Sequence, residues 1–84
     1  MDVHPYFWRS RTKYGLVSYE VAAEVARSRR AWFQLNDEGR TEIYGYSPRI
    51  GLWVRVIVLP DGRLFNAFWD AEARTAVRKI ARRR

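Results

Sequence analysis

Apolar and polar positions alternate most regularly between Leu52 and Val58, where Val54, Val56 and Val58 interleave with Trp53, Arg55 and Ile57. A period of two with β-branched and aromatic residues predicts a half-buried strand. A second such run, Leu64 to Trp69, follows Pro60-Asp61-Gly62, and Asp-Gly is strong hairpin punctuation. With Asp61 and Gly62 as a two-residue loop, Ile57 faces Asn66 and Leu59 faces Leu64. A three-residue loop slides that pairing by one position. One face of the hairpin then carries Val54, Val56, Val58, Phe65, Ala67 and Trp69, and reads as core. The other carries Trp53, Arg55, Ile57, Leu64, Asn66 and Phe68.

The rest of the chain divides around this hairpin. Pro5 is suited to a first helical position and Gly15 to a stop, so a helix is expected over about residues 5–14. It would align His4, Trp8 and Arg11 on one strip, with Phe7 and Tyr14 beside it. Ser18 is placed to cap a second helix over roughly residues 19–29, with Val21, Ala22, Val25 and Ala26 as its apolar stripe. Short strands follow at 31–35 and 40–46, separated by the turn Asn36-Asp37-Glu38-Gly39. Gly45 marks a bulge or a close backbone approach. Asp70 is placed to cap a last helix, striped by Ala73, Ala76, Val77 and Ile80.

The order is α-α-β-β-β-β-α, an α+β class in which short turns favour a four-stranded antiparallel meander. The expected packing puts the helices on one face of the sheet and leaves the other open. At 84 residues the chain is read as a single domain, 1–84.

Charge changes the picture at one end. The net charge is +7; residues 74–84 hold six basic residues and no acid, while the remainder holds ten basic residues and all nine acids. Such a helix suits a phosphate backbone or an acidic partner, or is simply a solvated face. The absence of cysteine excludes disulfides, thiolate metal sites and a cysteine nucleophile. No paired histidines, HExxH or phosphate-binding glycine loop is present, so neither a metal nor a cofactor is expected. Apolar runs are too short for a membrane span and the N-terminus lacks a signal-peptide pattern, which makes a cytoplasmic protein the expectation.

Lys13-Tyr14-Gly15-Leu16, Ser18-Tyr19-Glu20 and Ala22-Ala23, followed by Arg40, Ile43, Gly45, Ser47, Gly51 and Val54/Val56, resemble the motifs of BrnT-like toxins. Those toxins are similar to RelE, within a group of small metal-free ribonucleases that includes barnase-like, EndoU-like and colicin enzymes. The resemblance extends from about Tyr6 to Ala73. It departs at Tyr14, where the family has histidine, at an extra residue before Ser18, and at Asp70-Ala71-Glu72, where the family has Ser-Ala-Arg. It implies a RelE-like fold and a ribonuclease toxin of a two-gene toxin–antitoxin system. Its implied partners are an RNA substrate and a cognate antitoxin, with an oligomer formed with the antitoxin as a further expectation.

Metal-free RNA cleavage needs a base for the 2′-OH, an acid for the leaving 5′-oxygen, and cations for the charged phosphorane. Arg55, a cation amid apolar strand residues, is the first candidate for phosphate, and Arg40 stands at the family's arginine position. Lys13 is a further candidate cation, and His4, the only histidine, is the candidate acid or base. Asn66, at a place where the wider group often has Thr or Ser, is a candidate hydrogen-bonding group. Trp53, Phe68 and Tyr14 are candidate base-stacking residues, and Arg11, Arg78 and Lys79 candidate RNA contacts. Each has a structural alternative: Arg55 as a salt-bridged sheet arginine, Arg40 as a partner of Glu38 or Glu42, His4 as a helix cap, Asn66 as a backbone partner. The rival functions are a non-catalytic nucleic-acid-binding module using the C-terminal arginine-rich helix, and a small protein-interaction domain.

Overall fold

The computed structural model describes residues 1–9 and 16–83. Its elements are α1 (Pro5–Arg9), α2 (Tyr19–Arg27), β1 (Trp32–Leu35), β2 (Thr41–Ser47), β3 (Leu52–Val58), β4 (Leu64–Trp69) and α3 (Ala73–Arg82). The strands form one antiparallel sheet in the order β1-β2-β3-β4, the expected meander. The rest of the helix expected over 5–14 lies outside the described residues. No helix among those described is long and apolar enough to cross a membrane.

Local chemistry explains the helix starts. His4 Nδ1 accepts a hydrogen bond from the Tyr6 N–H at 3.0 Å and so caps α1, while Pro5 occupies its first position. Ser18 Oγ accepts from the Val21 N–H at 3.3 Å and caps α2. That helix ends at Arg27, earlier than its expected limit, because Ser28 is extended. Before α3, Asp70 makes an Asx turn: its Oδ1 accepts from the Glu72 N–H at 2.9 Å and its carbonyl from the Ala73 N–H. The helix cap itself falls at Glu72, which makes no side-chain capping bond, so Asp70 is not the cap.

The hairpin loop resolves the question of register. Leu59 N–H bonds the Arg63 carbonyl and Gly62 N–H bonds the Leu59 carbonyl, which makes Pro60-Asp61-Gly62 a three-residue loop. Gly62 has φ 89°, a conformation that glycine adopts without strain. Val58 pairs with Leu64, yet Ile57 pairs with Asn66. Phe65 is therefore the extra residue of a bulge, and it takes back the one-residue slip that the loop introduces. Beyond the bulge, the pairing expected for a two-residue loop is restored.

Two cores lie on opposite faces of the sheet. On one, α1 packs on β4 and α2 on β2 and β3, around Phe7, Val21, Ala22, Val25, Val54, Val56, Leu64 and Ala67. Phe7, Leu64, Val54 and Val56 are the largest fully buried side chains there, each contributing roughly 1.5–3 kcal/mol by burial. Gly45 lets α2 come close: a Cβ at that position would stand 3.0 Å from Val25 Cγ1. The close approach, and not a bulge, is the reason for glycine.

On the other face α3 lies across β1, β2 and β3. Ala73 and Ile80 are buried against Tyr44, with Trp32, Trp53, Ala76 and Val77 packed around them. This corrects the expectation of an open face, because the sheet is sandwiched between helices. The reason is apolar content: Tyr44, Ile57, Trp53 and Phe68 alternate onto that face and need cover, and α3 brings the matching stripe.

Candidate functional site

Arg55 projects from the middle of β3 onto the α3 face, between Tyr44 on β2 and Phe68 on β4 in the sheet register. Its guanidinium lies 5.6 Å from the Tyr44 ring centroid and 5.1 Å from that of Phe68. Its Nε and Nη2 both donate to Asp70 Oδ2, at 2.9 and 2.5 Å, and its Nη1 stands 3.6 Å from Glu42 Oε2. Glu42 also accepts from the Tyr44 hydroxyl at 2.9 Å and from Gln34 Nε2 at 3.3 Å, while Gln34 donates to the Tyr44 hydroxyl at 3.2 Å.

The result is a polar network, Gln34–Tyr44–Glu42–Arg55–Asp70, roofed by α3. Burial lowers the Arg55 pKa, but the hydrogen bond to Asp70 and the nearby charges outweigh it, so the pKa sits above its ordinary value. Burial, followed by the hydrogen bond to Glu42, pushes the Tyr44 hydroxyl up. Two carboxylates thus hold the arginine, and the positive charge expected on an uncovered sheet is internally neutralised. Arg55 is a structural arginine in this fold.

The other expected site residues separate into groups. Arg40 pairs with Glu38 at 3.5 Å, and its guanidinium sits 4.4 Å above the ring of Phe65. The bulge residue Phe65 also stacks on Tyr6 at 4.7 Å and meets His4 at 5.3 Å. One ring therefore gathers His4, Tyr6 and Arg40. Because His4 Nδ1 accepts the Tyr6 N–H, the neutral imidazole carries its proton on Nε2. Asn66 Oδ1 accepts from the Ala67 N–H at 2.9 Å, the backbone role that was its alternative.

Trp53 and Trp32 pack against the α3 core, and Trp53 meets Tyr46 edge-on at 6.1 Å. Phe68 is half-buried beneath Arg55. Trp32 and Trp53 support the fold from below α3 and Phe68 lies against the Arg55 guanidinium, which does not fit an open stacking platform. Lys13, Tyr14 and Arg11 lie outside the described residues.

The exposed cations are on α3. Arg74, Arg78, Lys79, Arg82 and Arg83 are all exposed, and among the described residues none of them makes an ion pair. Ala73, Ala76, Val77 and Ile80 face the sheet, so helical spacing turns the basic residues outward. Lys79 and Arg83, with Gln34, Thr75 and Arg55, line a groove of about 270 Å³ beside the helix. Arg78 and Lys79 were anticipated from sequence; Arg74, Arg82 and Arg83 were legible as part of the basic surplus.

No group of three or more histidines, acids or cysteines suited to a metal ion occurs among the described residues. No family model, no curated protein and no solved structure matches the chain.

Proposed function

We propose that this protein binds the phosphate backbone of a polynucleotide through the outer face of α3. One observation carries the reading. The arginine on the sheet is neutralised by Asp70 and Glu42, whereas the five basic groups of α3 and its end are solvent-facing and unpaired among the described residues. A row of exposed cations on one helix binds by displacing counterions and confers no base specificity by itself. A cytoplasmic location accords with that role.

The test is titration of a fluorescent polynucleotide at several salt concentrations. If about four cations engage phosphates, log K falls with log salt at a slope of roughly −3 to −4. Replacing Arg78, Lys79 and Arg82 by alanine flattens that slope. Salt-independent binding, or no binding at low salt, rejects the proposal.

The Phe65 cluster favours a second reading, the ribonuclease toxin neutralised by an antitoxin. There Arg40 would hold a phosphate oxygen, and His4 would act as the base for the 2′-OH or, as imidazolium, as the acid for the leaving 5′-oxygen. The 2′-OH gives its proton to a base and its oxygen bonds phosphorus, the P–O5′ bond breaks, and the 5′-oxygen takes a proton from an acid, leaving a 2′,3′-cyclic phosphate and a 5′-hydroxyl. Incubating the purified protein with RNA and assaying for cyclic-phosphate ends tests this directly. A His4→Ala variant should then bind RNA but not cut it, and intact RNA with the unaltered protein rejects the reading.

A further inference from the structure

The N-terminal segment closes the outer edge of β4: His4 N–H bonds the Leu64 carbonyl at 2.8 Å and Leu64 N–H bonds the Asp2 carbonyl at 2.8 Å. A shorter stretch of edge, at the end of β2, is left open among the described residues. β1 starts at Trp32, opposite Tyr44, so Gly45, Tyr46 and Ser47 run past it. On their other side β3 still pairs with all three.

The direction of their backbone groups follows from the two hairpins. Asn36 N–H donates to the Arg40 carbonyl, so positions 36 and 40 are a hydrogen-bonded pair. Antiparallel ladders alternate, and the even-numbered residues of β2 therefore turn N–H and C=O toward β1. At the next hairpin the Ser47 carbonyl accepts from the Gly51 N–H, which agrees by giving the odd-numbered residues to β3. Tyr46 thus presents its N–H and C=O side by side at the open edge. A longer β1 would place Arg30 opposite it. The chain turns there instead, with Ala31 N–H on the Ser28 carbonyl at 3.2 Å, and no hydrogen bond joins Arg30 to Tyr46 among the described residues.

The gap is a cavity of about 370 Å³ lined by Ser28, Arg30, Gly45, Tyr46, Pro48 and Trp53. That volume falls within the ~300–1,000 Å³ of small-ligand pockets. Its walls are mainly apolar, with the Tyr46 and Trp53 rings edge-on at 6.1 Å. A smaller cavity of about 160 Å³ shares Ser28, Tyr46 and Pro48 with it and reaches Glu24 and Ser47. Ser47 is 2% exposed, and its hydroxyl has no hydrogen-bond partner among the described residues. Buried polar groups are seldom left so. Arg29 and Arg30 are exposed and make no ion pair among the described residues.

We propose that this cleft takes one unpaired nucleobase of a single-stranded polynucleotide, a ligand whose class rests on the polynucleotide reading of α3. Tyr46 offers a donor beside an acceptor. Every nucleobase carries the complement on its Watson–Crick edge, which is free only in a single strand. The Tyr46 and Trp53 rings flank the base, and Arg29 and Arg30 meet its phosphate. A sugar hydroxyl in the smaller cavity supplies the partner that Ser47 lacks. An extended peptide is the poorer occupant: Pro48 has no N–H and Ser47 faces β3, so a strand would find one residue to pair with. Trp53 also belongs to the core beneath α3, so the cleft and the basic helix adjoin.

The test compares a short single strand with a duplex of the same length at equal salt, by fluorescence anisotropy on the full chain. A helix that only neutralises phosphates favours the duplex, whose charge is denser. The cleft should reverse the order and hold the single strand about tenfold more tightly. Ser28→Leu, which places a branched side chain at both cavities, should cost about tenfold in single-strand affinity and change duplex affinity less than about twofold. Ser47→Ala removes no hydrogen bond from the free protein, so its melting temperature should not fall, while single-strand binding should weaken about threefold. In amide NMR spectra, adenosine monophosphate should move the Tyr46 resonance. Binding to neither nucleic acid, with that resonance unmoved, rejects the reading of α3 and the cleft together. A duplex bound at least as tightly as the single strand overturns the cleft and leaves the reading of α3 standing. So does a single-strand affinity that Ser28→Leu leaves unchanged.

Discussion

Arg55 and Asp70 are joined by two hydrogen bonds to a single carboxylate oxygen, at 2.9 and 2.5 Å, across the start of the loop that leads into α3. Asp70 opens the Asp70-Ala71-Glu72 segment that leads into α3. The acid there both orders the turn before the helix and neutralises the arginine beneath it. Substituting Arg55 therefore acts first on the fold.

The expected outcome for Arg55→Ala is a loss of about 2–3 kcal/mol, because Glu42 and Asp70 are left as uncompensated, mostly buried carboxylates. The value is below that of a fully buried pair because the Arg55 side chain is 30% exposed. Urea denaturation measures it. Combining Arg55→Met with Asp70→Asn should recover part of the loss, since Glu42 alone is then left as an uncompensated carboxylate.

Gly45→Val should destabilise the protein by about 1–3 kcal/mol through the clash with Val25 across the α2 interface. Val25→Ala introduced with it should cost less than the two single changes added together. Strict additivity of the denaturation midpoints would mean that the close approach of α2 is not what demands glycine.

Tyr44 predicts behaviour at high pH. Its folded-state pKa is raised above the ordinary 10.0 by burial and by the bond to Glu42. The folded state therefore holds this proton more tightly than the unfolded state does. The associated stability is fully present below pH 10.0 and is lost as pH rises through the folded pKa. In Tyr44→Phe, stability near neutrality should fall by about 1 kcal/mol for the lost hydrogen bonds. The alkaline decline above the ordinary tyrosine range should become shallower in the same variant. Thermal melts across that range distinguish the two effects.

Charge removal on α3 should separate binding from folding. Arg78→Ala with Arg82→Ala touches no ion pair among the described residues and no core side chain, so melting should shift by no more than the ~0.5 kcal/mol usual for surface changes. Polynucleotide affinity at low salt should drop at least tenfold. An unaltered affinity would place the binding surface elsewhere.

The sequence made the element order legible because its signals were local. Ser18 before an apolar stripe, glycine in each tight turn, and strict alternation through Val54 and Val56 need no tertiary information. The side of the sheet that α3 covers was not local. A helix following β4 through three residues can return over either face, and the stripe of Ala73, Ala76, Val77 and Ile80 is the same in both cases. A signal was nevertheless present. Tyr44, Trp53, Ile57 and Phe68 share the face of Arg55, and so much apolar surface around one cation calls for a cover.

The Phe65 cluster was illegible for another reason. Register alone places Phe65 with the core residues of its strand, and only the bulge turns its ring toward Tyr6, His4 and Arg40. The neutralisation of Arg55 depended likewise on a residue fifteen positions away that reads, locally, as a helix cap.

The seal along β4 has a consequence for synthesis. Residues 2–4 leave the ribosome about sixty residues before their backbone partner, Leu64, and α1 packs on that same strand. A growing chain must carry Phe7, which ends up wholly inside, through most of translation without its final neighbours.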